Sequence, residues 1–365
     1  MSVPGARNGK PLRFHWSLSQ AGSRLRSSVR REDMPGLPDF GAQLDLCRRA
    51  EQSGIESLLM AIGFTRPDPL LLSLALGAET ETIKFMVACR PGLLSPVAFV
   101  QQVNSASAVL PGRICLNMVM GHTPKELGYY GCFLPHDERF EQADEFLTVC
   151  RALWRGDGPV DFQGRHYRVA AARVGTPFVS PAEASPEIFV GGNSSQAADL
   201  AARHASCLWR FAEPPESLGP RIASVLAGGT EVGLIVSLLA RPTREEALRG
   251  TEALLAAAGG EAREVHQRLR GATDSVAYAS TYGLADGGGS SAWLTPCLWT
   301  GAVPSLGPPA IALVGSTEEI VETLLQYKAI GVSQFLFLGW LDLDEVTFFG
   351  REVLPRVRAE EGPCL

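Results

Sequence analysis

The chain has 365 residues, a length that suits one decorated α/β barrel or two ordinary domains. Apolar residues make up 45% and charged residues 20%, with a formal net charge of −6. That is a globular composition with a real core, and its scattered basic residues set nucleic acid aside as a partner.

No apolar run approaches the roughly 18–20 residues of a membrane span. The opening MSVPGARNGKPLRF lacks the apolar core of a secretion signal. The eight cysteines form no Cys-x-x-Cys pair and no histidine cluster stands at zinc spacing, so no metal is expected. A reducing cytoplasm is the expected setting.

In chain order the predicted strands are RFHWSL (13–18), SLLMAI (57–62), IKFMVAC (83–89), RICLNMVM (113–120), EIFVGG (187–192), SCLWRF (206–211), VGLIVSLLA (232–240) and QFLFLG (334–339). Most are continuously apolar rather than alternating, as parallel strands buried on both faces are. Predicted helices fill the gaps: 38–54, stopped by Gly54, then Leu70 to Ala78, Pro96 to Leu110 and Asp137 to Trp154. Ser194 to Arg203, Pro215 to Leu226, Thr243 to Ala258 and Thr317 to Ile330 follow, and Glu345 to Arg356 comes after the last strand. Thr243 with Glu246, and Ser316 with Glu319, read as helix starts. Strand then helix, repeated, predicts a (β/α)8 TIM barrel as a single domain over residues 1–365.

Two insertions break the rhythm. Residues 155–186 are Gly/Pro-rich with short strand-like pieces such as HYRV. Residues 259–310 begin helically and continue as GLADGGGSSAWLTPCLWTGAVPSLGPP. Fifty residues without a barrel element read as a functional insertion. Glycines 287–289 give freedom and Trp293 and Trp299 give something to bury, which predicts a lid over the barrel mouth before the last strand. The plainer alternative is an unstructured surface excursion.

Chemistry is expected where the strands end. In GGNSSQAADL (191–200), Gly191 and Gly192 allow close backbone approach, and Ser194 and Ser195 supply hydroxyls. The helix that follows presents unpaired N–H groups at the positive end of its dipole. The turn is either a plain helix cap or a phosphate cradle. Asn117 is a lone amide among Ile114, Leu116, Met118 and Val119. Left unpaired it would cost roughly 1–3 kcal/mol, so it needs a core partner or a ligand.

Four segments carry a resemblance: IKFMVACRPGLLSPVAFVQQ (83–102), PGRICLNMVMGHTPKELGYYGCFLPHDERFEQADEF (111–146), PEIFVGGNSSQAADLAARHA (186–205) and ALVGSTEEIVETLLQYKAIGVSQFLFLGW (312–340). Together, in register from about residue 12 to residue 356, they resemble the bacterial luciferase-like flavin monooxygenases, in particular the alkanesulfonate monooxygenase branch. The resemblance implies reduced FMN bound at the strand C-termini and reacting with O2 through a C4a-(hydro)peroxyflavin. It implies the Gly191–Ser195 turn on the FMN phosphate, Asn117 beside the flavin, and Cys89 with Arg90 facing the ring mainly through backbone. Cys89 as a nucleophile is the weaker alternative. Arg139-Phe140 stands where relatives carry an Arg-Tyr pair whose phenol reaches the phosphate, so the Phe140 position loses a donor that Arg165 or His136 would replace. A separate, transient flavin reductase would supply reduced FMN, since no GxGxxG follows the first strand. A homodimer is implied by analogy.

The departures concern substrate. Positions that bind sulfonate in those relatives correspond to Gln20, Arg66, Ile235, Ser237, the neighbourhood of Ser305, and Trp340, and all six have changed. Loss of cationic forks predicts a larger, partly apolar small molecule, possible partners being Trp16, Trp209, Trp340, Phe64 and the lid tryptophans. Each tryptophan taken singly reads equally as core. Arg66 either anchors one anionic group or sits in solvent. With the usual base replaced by Ser237, His15 is the first alternative base and His122 the second, with a plain core histidine as the competing reading of His15. An intermediate of secondary metabolism is the expected kind of substrate. Two other readings are a deazaflavin-dependent oxidoreductase of the same fold and a flavin-binding protein without catalysis.

Overall fold

The computed structural model describes residues 10–18, 39–287, 291–338 and 342–362. Gln20 and Trp340 lie outside the described residues. The strands are β1 (Arg13–Ser17), β2 (Ser57–Met60), β3 (Lys84–Cys89), β4 (Ile114–Met118), β5 (Val160–Gln163), β6 (Arg168–Ala172), β7 (Ile188–Gly191), β8 (Cys207–Phe211), β9 (Glu231–Arg241), β10 (Leu298–Trp299), β11 (Ala312–Ser316) and β12 (Val332–Phe337). Eight of them close a parallel ring in the order β1-β2-β3-β4-β7-β8-β9-β12, with β12 pairing back to β1. These are the eight predicted apolar runs, and the fold is a (β/α)8 barrel with added strands and insertions.

Alternation on β1 separates the two faces of the wall. His15 meets Phe189 and Trp209 of the opposite strands β7 and β8, at ring-centroid distances of 5.9 and 5.5 Å, so it points into the ring. Trp16 instead packs on Phe337 and on Phe349 of the C-terminal helical stretch, at 5.3 and 6.2 Å, so it points outward. Gly233 explains how an indole fits inside: a Cβ there would come within 2.1 Å of the Trp209 ring.

The ring is plugged at its N-terminal end by charge. Arg13 donates to both Glu56 and Glu187 at 2.6–2.8 Å, and Lys84 reaches Glu56 at 3.0 Å. Burial alone would raise the Glu56 carboxyl, but Arg13, His15 and Lys84 hold it down at about 2. His15 belongs to this end. Its Nδ1 lies 2.7 Å from Ser57 Oγ and its Nε2 3.0 Å from Gln334 Oε1.

The first insertion folds as the antiparallel hairpin β5–β6. The second builds a lobe. After Val236 the long strand β9 leaves β12 and pairs instead with β11, which in turn pairs with β10. Leu239, Ala312, Val314 and Trp299 pack there against Ala247, Leu254 and Ala258 of the helix that starts at Arg244. That helix breaks at Gly259 (φ 67°), where the helical periodicity of the sequence also stops, and a second helical segment runs to Ala272. A further helix, Val276–Gly287, follows. The unstructured excursion is therefore not what the chain builds. No helix among the described residues is long and apolar enough to cross a membrane.

Candidate active site

The turns after the strands gather at the C-terminal end of the ring, and the inserted lobe is fastened across them. Thr273 Oγ1 donates to the His122 carbonyl at 2.7 Å, Arg139 donates to Asp274 at 2.8 Å, and Asn193 Nδ2 donates to Ser280 Oγ at 3.1 Å. Ser237 Oγ lies between the carbonyl oxygens of Pro309, at 2.9 Å, and Leu338. The buried Ser237 thus joins the lobe to the barrel with its hydroxyl already engaged by carbonyls.

The Gly191–Ser195 turn forms one corner of this mouth. β7 ends at Gly191, and a Cβ built there would meet nothing within 4 Å. A Cβ on Gly192 would meet Ala197 at 2.7 Å. Ser194 is the N-cap, accepting from Ala197 N at 3.2 Å. The Ser195 hydroxyl donates to Gln196 Oε1 at 3.2 Å. Two helices begin side by side here, Ser195–His204 and His136–Arg155.

Between them the Asp137 carboxylate takes a donor from each helix, Gln196 Nε2 at 3.0 Å and His136 Nδ1 at 2.7 Å. Asp137 is 68% exposed, so the anion now held at this corner is one that can turn to water. A phosphate fits the same donors, with helix dipoles behind them. Phe140 is buried against His136 at 5.0 Å and offers no hydroxyl. Arg165 is tied to Glu138 and Glu141, which leaves His136 as the donor in place.

Next to this corner, β4 pairs with β7 and sets Asn117 opposite Phe189. Asn117 is 5% exposed and its Oδ1 has no partner. On β4's other side, Arg90 at the end of β3 pairs with Glu126 at 2.7 Å, while its Nε and Nη1 are buried and unpartnered. Unmet buried donors and acceptors cost energy unless a ligand meets them. The Cys89 thiol is buried, donates to the Val87 carbonyl at 3.3 Å, and is pushed up by burial, which removes any nucleophilic character at neutral pH.

Across the mouth, the His122 ring stacks on Tyr278 of the inserted helix at 4.4 Å, and Tyr278 meets Phe211 edge-on at 5.9 Å. Burial lowers the His122 imidazole and raises the Tyr278 phenol, so both are neutral at pH 7. Arg66, in the turn after β2, lines a small cavity with Leu18, Gln43, Met60 and Pro69. Ile235 of β9 is half-buried beside Phe211. Phe64 stands at the rim, 60% exposed and edge-on to Tyr129 at 5.1 Å.

Three expectations meet a different placement. His15 sits in the N-terminal plug with both nitrogens engaged, and burial takes its imidazole down to about 4. Trp16 faces the helices, and Trp209 lies across the barrel core stacked on Phe189 at 5.4 Å, so neither indole lines the mouth. Period-two alternation allows only one of His15 and Trp16 to face inward, and it gives no height in the barrel for His15 or Trp209. The sequence reading missed Tyr278, Asn193, Ser280 and Glu126. Tyr278 and Tyr282, four apart in an insertion expected to be a lid, were the available signal.

A family model described as luciferase-like monooxygenase matches residues 13–334. Among solved structures, an EDTA monooxygenase from Chelativorans sp. BNC1 aligns at TM-score 0.75 and 17% identity, covering 98% of this chain and 96% of that one. A riboflavin lyase with modified FMN and riboflavin aligns at 0.71 and 17%, covering 96% and 92%. An F420-dependent secondary alcohol dehydrogenase aligns at 0.66 and 17%, covering 96% and 100%. At such identities the structures establish the shared barrel, while the family model spans nearly the whole chain. The chain belongs to the luciferase-like monooxygenase family and is an enzyme of that family.

Proposed function

We propose that the protein is the oxygenase component of a two-component system, using reduced FMN from a separate reductase to oxidise a bulky, partly apolar small molecule. The observation that carries this is the adjacency on β4 and β7 of an unpartnered amide oxygen, Asn117 Oδ1, and an open anion corner at Gly191–Ser195. One feature suits a ring that donates hydrogen bonds, the other its phosphate. Bound reduced, FMN supplies the electrons that activate dioxygen. The chain's own residues do the remaining work. Gln196, His136 and the helix start at Ser195 hold the phosphate, and Asn117 orients the ring. The lid helix Val276–Gly287 excludes water. His122, with no hydrogen bond to its ring among the described residues and kept neutral by burial, is the group placed to hold a proton at the mouth.

The test is titration of the full chain with oxidised FMN, photoreduced FMN and F420, followed by mixing with oxygen. Reduced FMN is expected to bind most tightly and to reoxidise more slowly than the free flavin. Gly191→Val places a side chain in open space, so it is expected to fold normally yet lose FMN affinity. Preferential binding of F420, with FMN ignored, would replace oxygen chemistry by hydride transfer in the same barrel.

A further inference from the structure

Three arginines, Arg66, Arg90 and Arg139, stand at the mouth with the carboxylates Glu126 and Asp274, while Asp137 at the far corner is held by His136 and Gln196. Glu126 is committed to Arg90 at 2.7 Å and Asp274 to Arg139 at 2.8 Å. Arg66 makes no ion pair, and its guanidinium makes no hydrogen bond, among the described residues. Its neighbours are the Tyr278 phenol and the already paired Glu126, and burial lowers the guanidinium from its ordinary value. Glu126 is near Arg66, since a Cβ on Gly63 would lie 3.7 Å from Glu126 Oε1 and 3.8 Å from Arg66 Cδ, yet the carboxylate makes its hydrogen bond to Arg90. His122, neutral, adds no balancing charge. Among the described residues Arg66 is therefore a half-buried mouth cation that no carboxylate pairs.

The walls around this charge are apolar. Leu18, Met60 and Pro69 line the cavity, and Gln43, 3% exposed with an unpartnered Oε1, is its second polar group. A planar fork of donors wants two oxygens sharing a negative charge. A desolvated cation beside apolar surface binds a ligand that brings both an oxyanion and a hydrocarbon body.

We propose that Arg66 is the substrate anchor, and that the substrate is an organic carboxylate with an aromatic or aliphatic body, its charged end held on Arg66 beneath Tyr278. This rests on the reading of the mouth as a substrate site. It also differs from a sulfonate site in its residue types, because the cation stands on the turn after β2 while β9 carries Ile235 and Ser237.

The probe is 2-naphthoate against 2-naphthamide, matched in shape and different in charge, titrated calorimetrically into the full chain with and without FMN. The parent is expected to prefer the carboxylate by about tenfold or more. Arg66→Gln is expected to erase the preference while naphthamide binding and FMN affinity stay unchanged, and Arg66→Lys to keep part of it. Equal binding of the two probes by the parent, or a preference that survives Arg66→Gln, overturns the proposal. So does a loss of FMN affinity in Arg66→Gln, which would make Arg66 a flavin ligand. Should FMN fail to bind while the preference still depends on Arg66, the flavin reading falls and the anchor stands.

Discussion

A guanidinium withdrawn from water with no carboxylate partner, as Arg66 is among the described residues, costs the fold energy that a bound anion recovers. Arg66→Met is therefore expected to raise the melting temperature of the ligand-free chain, whereas Arg139→Met, which strands Asp274, is expected to cost about 3 kcal/mol in denaturant titration. A fall for both would mean that Arg66 has a structural partner. Asp137 presents the opposite case, an anion where another anion is expected. Asp137→Asn removes like-charge competition and should tighten FMN by about two- to fivefold, an advantage that shrinks in high salt. Unchanged affinity would place the phosphate elsewhere. At this scale the sequence was readable where residue type and position coincide. Gly191, Gly192 and Ser194 announce a tight turn and a cap, and the turn is there. Asn117 announced a need without saying what would meet it. Arg66 was readable only as a charge, because its isolation depends on Glu126 choosing Arg90, a contact across two turns.

Strands and helices were more legible, for a physical reason: burial on both faces writes itself as an unbroken apolar run, and caps mark helix starts. Thr243 with Glu246 and Ser316 with Glu319 both form reciprocal capping boxes. β11 escaped because ALVGS is five residues long and merges into the helix it precedes. Its role is visible only through β9, whose eleven residues serve two partners, β12 in the ring and β11 in the lobe. The lid reading followed from composition and length, but its attachment did not. The hydrogen bond from Asn193 to Ser280 joins the Gly191–Ser195 turn to the inserted helix, so a ligand bound at one should be felt by the other. Ser280→Ala removes a bond of about 1 kcal/mol, and amide exchange in Val276–Gly287 should quicken about fivefold without a change in melting temperature. Exchange at the parent rate would mean that the helix is held by its other contacts, Tyr278, Tyr282 and the Asp286 pair with Arg270 among them.

Across the whole molecule, chemistry and stability occupy opposite ends of the barrel. The C-terminal mouth keeps unmatched groups, while the N-terminal plug matches Arg13 with Glu56 and Glu187 and seals His15 behind it. The order of the ring follows from the predicted barrel, whose eight runs pair in chain order, but the plug was beyond the sequence, because its members come from five separate strands or strand approaches and meet only on closure. The plug makes stability depend on pH in two windows. His15 has a folded value of about 4 against an ordinary 6.5, so the unfolded chain takes up its proton first and stability falls as pH drops through that interval. Glu56, at about 2 against 4.5, extends the loss to lower pH, since its charged form is the one the fold favours. Each group contributes a slope of up to about 1.4 kcal/mol per pH unit within its window. His122 and His204 are also pushed down by burial, so the parent's slope is not due to His15 alone. The difference between parent and variant isolates the plug. In urea titrations from pH 7 to pH 3, His15→Gln should lose slope between about 6.5 and 4, and Glu56→Gln only below about 4.5. Parallel curves for parent and His15→Gln would mean that the imidazole charges inside the folded barrel, and that water reaches an end of the ring which Arg13 and its two carboxylates are built to close.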